Sequence, residues 1–282
     1  MSRLLRANFS RLFKSLIFKL CMIFSVGLAL FSITVRYIDN TVNAKLYAEY
    51  GYVTNAEGLI FVGSFFLMFA MAVFVGLFVG TDYSDGTIRN KIMVGHSRFS
   101  IYMSNFITCA AAGIIFNISY IVVALVYGQV LLGGTEYPLS LILTCTCISI
   151  TALLALLSMM LLLSMLISHK AAASVVLLLM TMLLLMTAMM VQSRLDAPEY
   201  FGSYTMGDEG ELIDEEIKNP KYLTGAKREA YEFISDFIPS SQLYQVVSTE
   251  VARPWRIVIC DAVIFLVTTG VGVCAFRRKD LK

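Results

Sequence analysis

Charge is what this sequence has least of. Charged residues make up only 15% of its 282 positions, against about 25% in an ordinary soluble domain. A water-facing surface of the usual kind is therefore excluded. Histidine is nearly absent: His96 and His169 are the only two, each single, so no His-x-x-x-His zinc motif exists. No G-x-x-x-x-G-K-[ST] run occurs, which excludes the usual loop that cradles nucleotide phosphates. The six cysteines, Cys21, Cys109, Cys145, Cys147, Cys260 and Cys274, all fall in apolar runs rather than polar loops, so a disulfide framework is not expected. Cys145 and Cys147 form a C-x-C, but no further soft ligand stands near it, and small apolar packing residues are the expectation. No hydrolytic triad can be assembled from the pattern. The chain is read as one that makes no bonds of its own and holds no catalytic, cofactor or metal site.

What the sequence does have is length without polarity. A hydrocarbon core of about 30 Å takes about 20 apolar residues per helix. Six segments qualify: Leu16–Val35, Leu59–Val79, Ile101–Val126, Leu139–Ile167, Ala171–Val191 and Trp255–Phe276. An all-α integral membrane protein of six transmembrane helices follows, a single domain over 1–282, with little left for a separate soluble domain.

Orientation follows from lysine and arginine near the span ends. Arg3, Arg6, Arg11, Lys14 and Lys19 flank the first span; Arg89, Lys91 and Arg98 lie between the second and third; Lys170 lies between the fourth and fifth; Arg277, Arg278, Lys279 and Lys282 follow the sixth. With six spans these share one side, which the positive-inside rule makes the cytosol, with both termini there. Only Asp82, Asp85 and Asp280 are acidic on that side. The first span lacks a small-x-small cleavage site after Val35 and is read as a retained helix rather than a signal peptide.

Two polar stretches carry periodicity. From residues 1–15 into the start of the first span, Leu5, Phe9, Leu12, Phe13 and Leu16 recur at helical spacing, with Arg6 and Lys14 on other faces. This suits a helix lying in the cytosolic interface, or else an extension of the first span. Residues 192–254 are expected outside; they include an acidic first half, GDEGELIDEEIKNPK. Beyond it Ala226, Ala230, Phe233, Ile234 and Phe237 are spaced for one helix face, opposite Lys227, Glu229, Glu232 and Asp236, with Pro239 as the stop.

Inside the spans ionisable groups are costly and usually functional. Asp261 is the one that lies well inside, as a contact for substrate or as a polar contact to another helix. Too few such groups are present for a proton- or sodium-driven carrier. Gly76 and Gly80 make a G-x-x-x-G, and Ala171–Ser174 offers small residues after the short Ser168-His169-Lys170 turn. Both allow close helix approach.

The least apolar run of the first two thirds is GTDYSDGTIRNKIMVGHSRFS, residues 80–100. Gly80 is expected to end the second span, Asp82 and Asp85 to open a turn, Asp85 or Thr87 to cap a short helix up to Gly95, and Arg89 and Lys91 to face outward from it. This run resembles the segment after the second span of ABC-2 type transporter permeases, G-x-[ED]-[YF]-x-x-G-T-[IL]-[RK] followed by S-R and an aliphatic-Tyr pair. It matches through Gly80, Asp82, Tyr83, Gly86, Thr87, Ile88, Arg89, Gly95, Ser97, Arg98 and Tyr102. Asp82 departs from the glutamate of many members. FIPSSQLYQ before the sixth span resembles the external helix of that family, which ends near a proline.

The resemblance implies an N-in/C-in ABC-2 permease fold, type V exporter-like, from a half-size bacterial exporter of the bacitracin- or lantibiotic-immunity kind, in the cytoplasmic membrane. It implies that residues 80–100 are a coupling segment docking on a separate ABC ATPase dimer, which alone binds ATP and magnesium, and that a second permease chain, identical or homologous, completes the path. Carried over, Gly80, Asp82, Tyr83, Gly86, Thr87, Arg89, Lys91, Gly95 and Arg98 would form the coupling element, with His169 and Lys170 a second contact and Asp261 on the substrate path. The exported substrate would be an antimicrobial peptide or lipid-like amphiphile. A non-transporting sensor or scaffold, and a sodium- or drug-exporting permease, are the alternatives.

Overall fold

The computed structural model describes residues 1–51, 55–133, 135–206 and 212–279. Helix α1 (Ser2–Lys14) turns at Ser15 into α2 (Leu16–Val42), which is followed by short α3 (Ala44–Tyr50). A 3-10 turn at Glu57–Leu59 leads into α4 (Val62–Ser84), then α5 (Thr87–Met93), α6 (Arg98–Leu132), α7 (Leu139–Leu166) and α8 (Lys170–Leu195). Strands β1 (Tyr200–Met206) and β2 (Leu212–Lys218) precede α9 (Gly225–Phe237), α10 (Pro239–Val247) and α11 (Pro254–Arg278). Six of these stretches, 16–42, 57–84, 98–132, 139–166, 170–195 and 254–278, are long and apolar enough to cross a membrane. The protein is a multi-pass membrane protein, and each helix runs beyond the span expected from hydropathy at one end or both, except α7, which closes one residue earlier.

The bundle is built around α4. It lies between α7 and α8 and also meets α2 and α6; α2 runs along α6, α11 along α7, and α1 crosses α6. Apolar burial alone does not drive helices together in lipid, so close packing has to. The G-x-x-x-G does this within the chain: a Cβ on Gly76 would fall 2.6 Å from the Ser174 Cα, and one on Gly80 2.6 Å from the Lys170 Cα. Its partner is the small-residue run at the start of α8. Gly80 therefore does not end the span; α4 continues one more turn to Ser84.

Polar side chains tie the interior. Asn117 of α6 accepts from the Ser64 hydroxyl (2.7 Å) on α4 and donates to Ser149 (2.7 Å) on α7. Ser25 of α2 donates to the Phe116 carbonyl at 2.7 Å. These bonds join four helices where an unmet polar group would be costly. Cys21, Cys109, Cys145 and Cys260 are buried, Cys147 and Cys274 exposed, and all six are free thiols.

The end opposite α1 differs from an all-helical expectation. Within the acidic segment, β1 and β2 pair antiparallel, Tyr200 opposite Lys218 and Met206 opposite Leu212. Asn219 closes the base, its amide donating to the Pro198 carbonyl at 2.8 Å. Acid-rich composition hid the strands, although Tyr, Phe and Thr in YFGSYTM favour them. The remainder of the acidic tract at 207–211, and Asp280 and Lys282, lie outside the described residues. Helix α9 forms where its periodicity places it, but Phe233 and Phe237 stay half-exposed while Ser235 and Asp236 are buried. Its polar face packs inward: Asp236 pairs with Arg256 (3.3 Å), Glu232 with Arg253 (2.9 Å), and Ser235 with Ser241 (2.8 Å). Burial pushes the Asp236 carboxyl above its usual range. Pro239 does stop α9, and it also starts α10.

Filling the Gly76 contact has a measurable cost. Gly76→Leu should lower stability by about 1–3 kcal/mol, read as a lower thermal midpoint in detergent. Gly27→Leu, on α2 with nothing within 4 Å of the added Cβ, should leave the midpoint within error.

Candidate functional site

The site is at the basic end, where α1, the ends of α4, α7 and α11, the starts of α6 and α8, and all of α5 meet. Asp82 is its centre. In place of opening a turn, it lies in the last helical turn of α4 and is fully buried. An isolated carboxylate there would be prohibitive, and two cations compensate it. The Arg11 guanidinium donates to Oδ1, and the Lys91 ammonium donates to Oδ2 at 3.0 Å. Arg11 also stacks on Phe78, its guanidinium carbon 4.0 Å from the ring centre. Lys91 makes a second bond to Asn8 Oδ1 (3.2 Å), and the Asn8 amide donates to Ser104 (2.9 Å) and Asn105 Oδ1 (3.0 Å) on α6. One cluster thus joins α1, α4, α5 and α6.

Lys91 is accordingly turned inward, with only 11% of its side chain exposed, and it is not presented outward as the sequence reading held. Burial, and then repulsion from Arg11, pulls its ammonium down to about 8. It keeps its proton at neutral pH, and the cluster then carries two positive charges against one negative.

Helix α5 has two faces. Ile88 is buried, and Lys91 and Ile92 follow it on the same side at helical spacing. Arg89, Asn90, Met93 and Val94 are exposed, Met93 and Val94 by more than three quarters. Neither Asp85 nor Thr87 caps this helix. Gly86 does so through its backbone, at φ 65°, and Gly95 leaves it at φ 92°. A side chain at either position would be strained, although space for one exists.

The remaining motif residues divide between fastening and exposure. Tyr83 donates to the Met165 carbonyl at the end of α7, and Lys279 donates to the same carbonyl at 3.1 Å. Arg98 fastens the start of α6 to the end of α11, donating to the carbonyls of Phe276 (2.6 Å), Arg277 (2.9 Å) and Lys279 (2.7 Å). Cations at helix C-termini meet the negative end of the helix dipole. Thr87 begins α5 half-buried, and His169 and the Lys170 side chain are exposed at the start of α8, where the Lys170 backbone lies against Gly80 of α4.

The expected N-terminal helix forms over Ser2–Lys14, but its buried face is not the one expected. Leu4, Asn8 and Leu12 are buried, while Phe13 is exposed. The signal was available: Asn8 sits four residues from each of two leucines, and Arg11 lies one turn along the same face. Asp261 lies at the other site of interest, 4% exposed on α11, with neither carboxylate oxygen in a hydrogen bond. Thr151 of α7 and Gln242 of α10 are the side chains placed to donate to it, so the polar contact to another helix stands beside the substrate reading. Among the described residues no group of histidines, cysteines and carboxylates is placed to hold a metal ion.

Removing the central carboxylate should be costly. Asp82→Asn removes the counter-charge paired with the part-buried Arg11 and Lys91 and should destabilise the protein by about 3 kcal/mol. Asp85→Asn, at an exposed position, should not. Thermal unfolding of the two variants in detergent, side by side with the parent, checks this; equal midpoints for all three would contradict the cluster's role.

No curated protein matches the chain. A family model does, described as a protein of unknown function, DUF2705, over residues 12–224, so the match takes in α2 through β2, with Arg11 and all of α9 to α11 outside it. With that match extending over most of its length, the chain belongs to the DUF2705 family.

Proposed function

We propose that this protein is the membrane-spanning permease subunit of an ATP-driven exporter of the ABC-2 kind, with α5 as the element that docks on a separate ATPase subunit. The observation that carries the reading is the two-sided build of α5. One face is locked to α1, α4 and α6 through Ile88 and the Asp82–Lys91 pair, and the other displays Arg89, Met93 and Val94. A solvated turn needs neither a buried ion cluster behind it nor adjacent exposed Met and Val in front. A docking helix needs both, because motion imposed on it has to reach the spans without being absorbed by slack.

The basic end faces the cytosol in this reading, in agreement with the distribution of lysine and arginine. ATP and magnesium are bound by the partner chain, two of which pair beneath two permease chains, identical or homologous. His169 and Lys170 form the smaller second contact. The membrane is the bacterial cytoplasmic membrane, and the substrate an amphiphile, an antimicrobial peptide or lipid-like molecule. The many acidic residues of 192–254 favour a positively charged one.

Arg89→Glu and Met93→Asp alter only exposed positions and should leave the thermal midpoint nearly unchanged. Each should lower co-purification with the partner ATPase that this reading requires, and reduce ATP turnover of the reconstituted pair about tenfold or more. Wild-type assembly and turnover in both variants would refute the docking assignment.

A further inference from the structure

We propose that Asp261 anchors a binding groove for an organic cation, an amphiphile bearing a protonated amine, between α6, α7 and α11. The groove encloses about 230 Å³ and is lined by Phe106 of α6, Leu154 and Ala155 of α7, and Val258, Ala262 and Phe265 of α11, with Asp261 and Thr151 as its polar groups. Ala262 is exposed, so the groove opens on the lipid-facing side of α11.

The polar end is rich in acceptors and short of donors. Both Asp261 oxygens are without a hydrogen-bond partner, and so is Oε1 of the buried Gln242. Thr151 and Gln242 are the side chains placed to donate to Asp261, but both are neutral, and only the second amide N–H of Gln242 is not already committed elsewhere. The Thr151 hydroxyl donates to the Ile148 carbonyl at 3.1 Å, and the Gln242 amide nitrogen to the Asp236 carbonyl at 2.8 Å. Arg256, five residues earlier on α11, is held by Asp236 and the Phe233 ring. Among the described residues no lysine, arginine or histidine is paired with Asp261. Buried acceptors of this kind call for a donor.

The chemistry of the lining selects among donors. An alkali or divalent ion wants several oxygen ligands, and the rest of this wall is carbon. Thr151 and Gln242 are neutral and bring no positive charge to the carboxylate. A primary ammonium supplies three N–H donors and one positive charge, and its apolar body matches the aromatic and aliphatic wall. As a place on the transport path the groove rests on the exporter reading, so binding is measured without any ATPase.

The experiment uses the full chain in nanodiscs of phosphatidylcholine, with a photoreactive long-chain primary amine and the matched alcohol. Labelling should fall on peptides containing Phe106, Leu154 or Phe265, with the amine favoured over the alcohol by about tenfold or more. Asp261→Asn should abolish that preference while leaving alcohol labelling as it was, and Asp261→Glu should keep part of it. Equal labelling of wild-type protein by amine and alcohol overturns the proposal, whether or not the variants fold. A preference that survives in Asp261→Asn overturns it as well. Loss of this binding would leave the α5 docking assignment standing.

Discussion

A single buried carboxylate, Asp82, organises the basic end of this protein. It carries a negative charge at the last turn of α4, and the fold meets the cost with Arg11 from α1 and Lys91 from α5. Since a buried ion pair gives little net stability over an apolar contact, its value here lies in specifying position. Without it, α1 would lose its tie to α4 and keep only its packing and bonds to α6, and α5 would be held by Ile88, Ile92, the Lys91–Asn8 bond and its two connections. Asn8 extends the cluster to Ser104 and Asn105 on α6, so the same few polar groups set four helices against one another.

The other fastenings at that end follow a common principle. Tyr83 and Lys279 satisfy the carbonyl of Met165, and Arg98 satisfies three carbonyls at the end of α11. Helix C-termini leave carbonyls without intrahelical partners, and the basic residues expected only to orient the chain in the membrane also close those ends. Behind them, Gly76 and Gly80 bring α4 against α8 at backbone contact. The result is a basic end with few loose joints, from which one face of α5 emerges. At the far end the logic is reversed: α9 packs its polar face inward against α10 and α11 and leaves its phenylalanines outward, as suits a helix resting in an interface.

Much of this was legible in the sequence. Hydropathy located all six spans, because twenty apolar residues in succession have few other uses, and the small residues at Gly76, Gly80 and Ala171–Ser174 marked two surfaces for close approach, though not that each faces the other. The motif around Asp82 stood out as polar, but its direction did not. A charge next to a span reads as solvated, and only the arrival of Arg11 from a helix 71 residues earlier makes it buried. For the same reason Lys91 read as displayed, whereas it points at protein. The hairpin was missed because strand preference in YFGSYTM was outweighed by surrounding acid. Asp261 was visible as an oddity; its unmet oxygens belong to the packing of α7, α10 and α11 and could not be read from α11 alone.

The central claim is that the outer face of α5 meets an ATP-hydrolysing partner. A photo-crosslinking amino acid placed at Val94 on that face, and separately at Val130 near the far end of α6, tests it most directly, since both positions are highly exposed. With the proposed partner ATPase co-expressed, a covalent adduct with that ATPase is expected from Val94 and none from Val130. An adduct from Val130, or none from Val94 while the two proteins still co-purify, would contradict it.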